Sequence, residues 1–224
     1  MSVSELDLTI ARTPSEYLAW FNPVLEQVNN ARDNREAALL HEDDYKFFYE
    51  ELFPLRSLLI LKQNEWAEAT FQPIHGDQNH DVKVDGLTLE FLEITITNFD
   101  GDERFRMQEY IENGSVDALN AVQRDERNRP IAIRNEGEMR DHHELVDEEL
   151  KKIQERILNK SAKPYPDHTG LVVYYDDYKC APKASDCKHF EALIDELQPT
   201  WSQTFDAIFI VGAKGEHTFE RTQR

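Results

Sequence analysis

Basic charge, cysteine and long apolar runs are what this chain has least of. Its 224 residues include 25 Lys or Arg against 44 Asp or Glu, a formal net charge of −19. A chain this acidic repels a polyanion at long range. Tight non-specific binding of nucleic acid is therefore disfavoured unless basic residues gather locally or metal ions offset the field. Two cysteines, Cys180 and Cys187, are too few for a disulfide framework. With His189 they form a Cys-x6-Cys-x-His cluster, one ligand short of the roughly four that a structural zinc takes, so ordinary cysteines flanking a helix start are expected. No run approaches the ~18 apolar residues of a membrane-spanning helix. The first ten residues alternate polar and apolar, with no apolar stretch behind a basic start, so no export signal is expected. Together these point to the cytoplasm and away from a membrane. No internal repeat is present, and neither is a Ser-His-Asp order, a phosphate-binding glycine loop or a zinc-protease helix.

What is there reads as globular: 40% hydrophobic and 31% charged residues, in the range of packed domains. The length favours one elaborated domain, with residues 1–54 as an N-terminal helical extension packed on a core of 55–224. Thr13-Pro14-Ser15-Glu16 is a helix start, with Thr13 and Glu16 as a capping box and Pro14 in the first turn. Pro23 interrupts the apolar spacing that follows (Tyr17, Leu18, Phe21, Leu25, Val28), which predicts two short helices or one kinked helix. Asp43-Asp44 open a second helical stretch that Pro54 breaks or bends, and Leu55, Leu58, Leu59 and Leu61 carry an apolar face onward. Alternation over 65–74 predicts a first strand. Residues 99–135 are polar, with a short helix over 106–112 and a loop or edge strand over 128–135. An amphipathic helix is expected over 138–160, with Val146, Leu150, Ile153 and Ile157 inward. A strand at 171–175, a helix from Ser185 to about Leu197, a strand at 205–211 and an edge strand at 217–221 follow. This alternation predicts an α/β protein with a central mixed sheet flanked by helices.

The centre of chemical interest is 80–95. Segments 81–85 and 87–97 read as a hairpin about Asp85-Gly86. In the second strand Leu87, Leu89, Phe91, Glu93, Thr95 and Thr97 share one face, while Leu92, Ile94 and Ile96 share the other. A strict two-residue turn pairs Asp81 with Glu90, opposite in face to Glu93. A three-residue loop or a bulge pairs Asp81 with Phe91, on the face of Glu93. Glu93, on a strand expected to be central, needs a partner, a metal or water access. Converging carboxylates bind a hard divalent cation, which activates water against a phosphodiester. The stretch Asp141-His142-His143-Glu144 offers metal-binding side chains too, but adjacent residues point around a helix and not at one ion, so a solvated helix start is expected there.

These elements resemble the restriction-endonuclease-like superfamily, the PD-(D/E)XK nucleases, over roughly 55–211. The resemblance rests on Asp81 at an acidic strand start, Glu93-Ile94-Thr95 on the next strand, the long helix ending near Lys160, and two hydrophobic strands around a helix. It implies metal-assisted hydrolysis of nucleic acid, with Mg²⁺ held by Asp81, or Asp85 in its stead, by Glu93 and by the Ile94 carbonyl. The family's lysine falls on Thr95, which can hydrogen-bond a water but carries no charge, and its proline falls on His80. Lys83 and Lys160 are the candidates for a relocated lysine. The alternatives are a catalytically inactive protein of that fold acting through protein–protein contact, and an acidic DNA mimic. The oligomeric state is left open.

Overall fold

The computed structural model describes residues 7–30, 35–42, 44–76, 78–99, 101–114, 122–127, 129–133, 141–180, 182–215 and 217–223. The N-terminal part is helical: α1 Pro14–Asn30, α2 Arg35–Leu39, α3 Asp44–Phe47, a π-helical turn Phe48–Leu52, and α4 Phe53–Lys62. The capping box forms as expected, the Glu16 carboxylate accepting from the Thr13 backbone N–H at 2.9 Å. Pro23 lies inside α1, which remains one helix. The expected break at Pro54 takes a gentler form. The Phe53 N–H reaches back to the Phe48 carbonyl, five residues away, and the backbone stays right-handed on both sides. One widened turn lets the proline enter a helix without leaving the helical path. The boundary expected between 54 and 55 thus falls inside a single helical run.

Eight strands follow among the described residues: β1 Thr70–Pro73, β2 Val82–Asp85, β3 Phe91–Ile96, β4 Val122–Arg124, β5 Pro130–Ile133, β6 Thr169–Tyr175, β7 Ala207–Gly212 and β8 Thr218–Thr222. Six of them make a mixed sheet in the order β1-β2-β3-β6-β7-β8, and β4 pairs with β5 alone. Strands β3, β6 and β7 run parallel; the outer neighbours are antiparallel. The remaining helices are α5 Gly101–Asn113, α6 His142–Ser161, α7 Asp177–Cys180, α8 Cys187–Glu196 and α9 Gln198–Trp201. The expected start of the long helix at 138 lies outside the described residues, as do Asp43 and parts of 128–135.

The sheet is covered on both faces, as a parallel centre requires. Leu92, Ile94, Ile96, Val172, Tyr174, Phe209 and Val211 pack with Tyr17, Phe21, Phe48, Leu55 and Leu58 of the N-terminal helices. The alternate residues Leu171, Val173, Tyr175, Ile208 and Ile210 pack with Val146, Ile153 and Ile157 of α6 and Phe190 and Ile194 of α8. The N-terminal helices are therefore one of the two layers that close the sheet. Burial of this kind contributes about 25 cal/mol per Å² of apolar surface, so neither layer is dispensable.

The hairpin register corrects both sequence-based alternatives. Val82 pairs with Leu92 and Lys83 with Phe91, which sets Asp81 directly opposite Glu93. The strands are joined by residues 86–90 and not by a two- or three-residue turn. Leu87 and Leu89 leave the strand pattern and pack into the core on the side of Leu92. Gly170 makes room for this: a side chain there would meet Leu92 Cδ2 at 3.1 Å and Leu89 Cδ1 at 3.2 Å. Gly86 holds a positive φ of 93° where the chain leaves β2, a conformation that favours glycine.

Candidate active site

Strand β2 begins at Val82, opposite Leu92, whereas β3 continues alongside β6 to Ile96. Among the described residues the second half of β3 therefore has no strand on that side. Asp81 fills the start of the gap: its N–H donates to the Leu92 carbonyl at 2.9 Å, and its Oδ2 accepts from the Ile94 N–H at 2.6 Å. Within an extended residue the N–H and C=O point the same way, so the Ile94 carbonyl faces the gap as well. Here lies a cavity of about 610 Å³ lined by the β3 residues Ile94, Thr95 and Ile96, by Asp81, by Lys46, Glu50 and Glu51 of the N-terminal helices, and by Arg156, Asn159, Lys160 and Lys163 around the end of α6.

Glu93 is buried, 6% exposed, on the face that packs against α6. Its burial is compensated by the Lys160 ammonium, which contacts Oε1, and by the Tyr165 hydroxyl, which donates to the same oxygen at 3.2 Å. Lys160 reaches it because it sits in the last turn of α6. Two residues along β3, Thr95 is 8% exposed and lines the same cavity. Burial and the charge of Glu93 raise the Asp81 carboxyl to about 7, against the opposing pull of the Ile94 N–H and Lys160. Burial, then Asp81 and Glu93, push the Glu51 carboxyl up to about 9. Burial and the neighbouring Glu93 also raise the Tyr165 phenol, so it stays a hydrogen-bond donor. Burial and neighbouring negative charge thus favour the protonated forms of Asp81 and Glu51.

Of the residues expected from sequence, the fold brings Asp81, Glu93, Ile94, Thr95 and Lys160 together. It does not bring Asp85 or Lys83. Asp85 pairs across β1 with Thr70, and the Lys83 ammonium lies 3.6 Å from the Asp85 carboxylate with both side chains largely in solvent. Both sit further along β2, past the cavity. Glu51 was not singled out from the sequence. Its signal was a carboxylate on the apolar helical stretch before Pro54, the kind of proline at which a helix can widen. The Asp141 side chain caps α6 by accepting from the His143 N–H, and His142 bonds Asp186 at 2.8 Å, which fits a helix start. Cys180 and Cys187 are free thiols, and the nearest imidazole bonded to Cys187 is that of His217, at 3.6 Å.

The fit of a divalent cation rests on donor chemistry. Among the described residues no three His, Cys, Asp or Glu side chains cluster closely enough to hold a metal ion. Mg²⁺, however, keeps several waters and is commonly bound through one or two carboxylates, and Asp81 and Glu93 face each other across adjacent strands with a backbone carbonyl beside them. The residues therefore suit Mg²⁺ and do not form a dehydrated, all-protein cage. Among the described residues no helix is long and apolar enough to cross a membrane. Compared with known proteins, the chain matches no family model, no curated protein and no solved structure.

Proposed function

We propose that this protein is a Mg²⁺-dependent nuclease with a restriction-endonuclease-like fold whose motif lysine has moved from strand to helix. The observation that carries the reading is the Lys160 ammonium on Glu93, the residue opposite Asp81. An amine stands beside the acidic pair although Thr95 occupies the position two residues after the glutamate. A second feature supports it. In a chain of net charge −19, Lys46, Arg156, Lys160 and Lys163 line one cavity, and Lys46, Arg156 and Lys163 have no ion-pair partner among the described residues. That is the local gathering of positive charge that a phosphodiester needs here.

Each side chain then has a task. Asp81, Glu93 and the Ile94 carbonyl would hold Mg²⁺, which when bound supplies an acidified water and positive charge beside the phosphate. Lys160 orients the Glu93 carboxylate, and its ammonium is poised to stabilise charge that develops on a phosphoryl oxygen. Tyr165 fixes the Glu93 carboxylate from the other side. The Thr95 hydroxyl can hold a water by hydrogen bonding, and Lys46, Arg156 and Lys163 neutralise the flanking phosphates. Isothermal titration with Mg²⁺ or Mn²⁺ on the unmodified protein and on Glu93→Ala tests the metal site, alongside cleavage assays on single- and double-stranded DNA and RNA. The expected result is metal binding lost in the variant and metal-dependent cleavage by the unmodified protein. No binding and no cleavage by either would leave a non-catalytic protein that acts through protein contact.

A further inference from the structure

A second cavity, of about 690 Å³, adjoins the first and shares Phe99 with it. Its character is different. The imidazole of His41 stacks on Phe99, with centroids 3.8 Å apart, and on Tyr49, at 5.1 Å. His41 is held there at a φ of +50°, a left-handed backbone that costs energy for a non-glycine residue and persists where surrounding contacts impose it. Its Nδ1 bonds the Glu50 carboxylate at 3.2 Å, and Glu50 lines the carboxylate cavity. Asn98, the residue before Phe99, also lines the second cavity, and its Oδ1 is buried with no hydrogen-bond partner among the described residues. A buried acceptor left unsatisfied costs stability unless a ligand or water completes it. Among the described residues no lysine lines this cavity and Arg35 is the one arginine that does; its guanidinium donates to the Tyr110 hydroxyl at 2.7 Å. Glu103 and Asp176 are at the wall. The lysines and arginine of the carboxylate cavity suit phosphate; this one suits a flat, neutral group carrying an N–H donor.

We infer that the ring-lined pocket takes an unpaired nucleobase of the same strand whose phosphate enters the carboxylate cavity, so that the substrate is a single-stranded polynucleotide. This rests on the nuclease reading and names its substrate. The base would pack on the Tyr49–His41–Phe99 ring set and donate an N–H to Asn98 Oδ1. A base paired in a duplex has its N–H groups committed and its faces stacked, so it is not available to this pocket.

The test is fluorescence anisotropy with Ca²⁺ present, using a labelled 12-nucleotide single strand, its duplex, and the same strand carrying abasic sites, each checked for integrity afterwards. The expected result is binding of the base-bearing strand ~10-fold or more tighter than the abasic strand, in the range of one stacked base, with the duplex weaker still. In Asn98→Leu and in Tyr49→Ala the two single strands should converge in affinity; the comparison of two ligands on one protein is insensitive to partial loss of folded material. Equal affinity of the unmodified protein for base-bearing, abasic and duplex forms would overturn the base pocket while leaving the nuclease reading standing. A nucleoside monophosphate that binds as tightly as the strand would overturn the polynucleotide assignment in favour of a free nucleotide. Absence of binding to every polynucleotide would overturn both readings.

Discussion

Replacing Lys160 by methionine keeps most of the apolar stem and removes the charge. The pair it breaks is unequal: the Glu93 side chain is 7% exposed and that of Lys160 21%. Removing one partner of a fully buried pair costs about 3–5 kcal/mol and of a surface pair about 0–1 kcal/mol. A buried carboxylate with a half-open amine lies between, and the Tyr165 hydroxyl remains on Oε1, so a loss of ~2–3 kcal/mol is expected. In a chain of this size each kcal/mol moves the melting temperature by about 2–4 °C. The variant should therefore melt ~4–12 °C lower in EDTA. Mg²⁺ should reverse most of this, since a ligand at a hundred times its Kd returns about 2.7 kcal/mol and the variant offers Glu93 without a competing ammonium. Single-turnover cleavage should nevertheless stay down about 100-fold or more, the usual cost of one lost electrostatic stabiliser. Thermal melts in EDTA and in Mg²⁺, beside the cleavage assay, read all three. A variant that melts like the unmodified protein in EDTA would refute the claim that Glu93 depends on this ammonium, and cleavage at the original rate would refute Lys160 as the displaced lysine.

The double substitution Thr95→Lys with Lys160→Met returns an amine to the face of Glu93, and cleavage should recover by about tenfold or more over the Lys160→Met variant; no recovery would mean that α6 supplies a direction of approach that the strand cannot. Glu51 and Asp81 hold protons in the folded chain that the unfolded chain releases near pH 4, so folding binds protons between about pH 4 and 9 and stability falls as pH rises through that window. Glu51→Gln should flatten the upper part of this fall, between pH 7 and 9, in chemical denaturation series without divalent ions, and Mg²⁺ should flatten it in the unmodified protein. Tyr165→Phe removes one hydrogen bond to Glu93 and should cost ~1.5–3 kcal/mol in urea titrations, the range for a bond to a charged group, with metal affinity changed less than by Lys160→Met. Gly212→Ala would set a Cβ 2.3 Å from Asp177 Oδ2 and 3.1 Å from the His217 carbonyl; it should destabilise by ~1–3 kcal/mol as overpacking does, with cleavage per folded molecule unchanged.

Much of the architecture was legible because its signals are local. The apolar runs 171–175 and 205–211 read as buried strands and are β6 and β7, and the helical spacing of Val146, Ile153 and Ile157 marks the inner ridge of α6. The mixed six-stranded sheet with helices on both faces follows from that alternation. The span 99–135 was harder, since α5 buries only Arg106 among its described residues and so shows almost no apolar period. The role of the N-terminal helices was also hidden. Their hydrophobic faces announce packing against something, but only the sheet's other face, through Leu92, Val172 and Phe209, identifies what.

The candidate site was half legible for a reason that concerns distance along the chain. Asp81 and Glu93 lie on neighbouring strands, and the remaining question was a register that a loop of unknown length sets. The Asp-Gly pair suggested a tight turn, whereas Leu87 and Leu89 are drawn into the core and lengthen the connection to 86–90, which turns Asp81 onto Glu93. Local turn preference lost to the burial of two leucines, each worth roughly 1.5–3 kcal/mol when fully buried. Lys160 and Glu51 are a different matter, because their sequence separation from Glu93 carries no pattern at all. What ties them to the site is that the π-helical turn of one layer, which carries Glu51, and the end of α6 in the other, which carries Lys160, both lie beside the gap where β2 stops. A strand that ends early therefore does two things at once: it frees the backbone of Ile94 for Asp81, and it opens one place where side chains from both helical layers can meet. The proposed nuclease reading therefore needs no lysine on the strand, since α6 delivers the Lys160 ammonium to Glu93 from the helical layer.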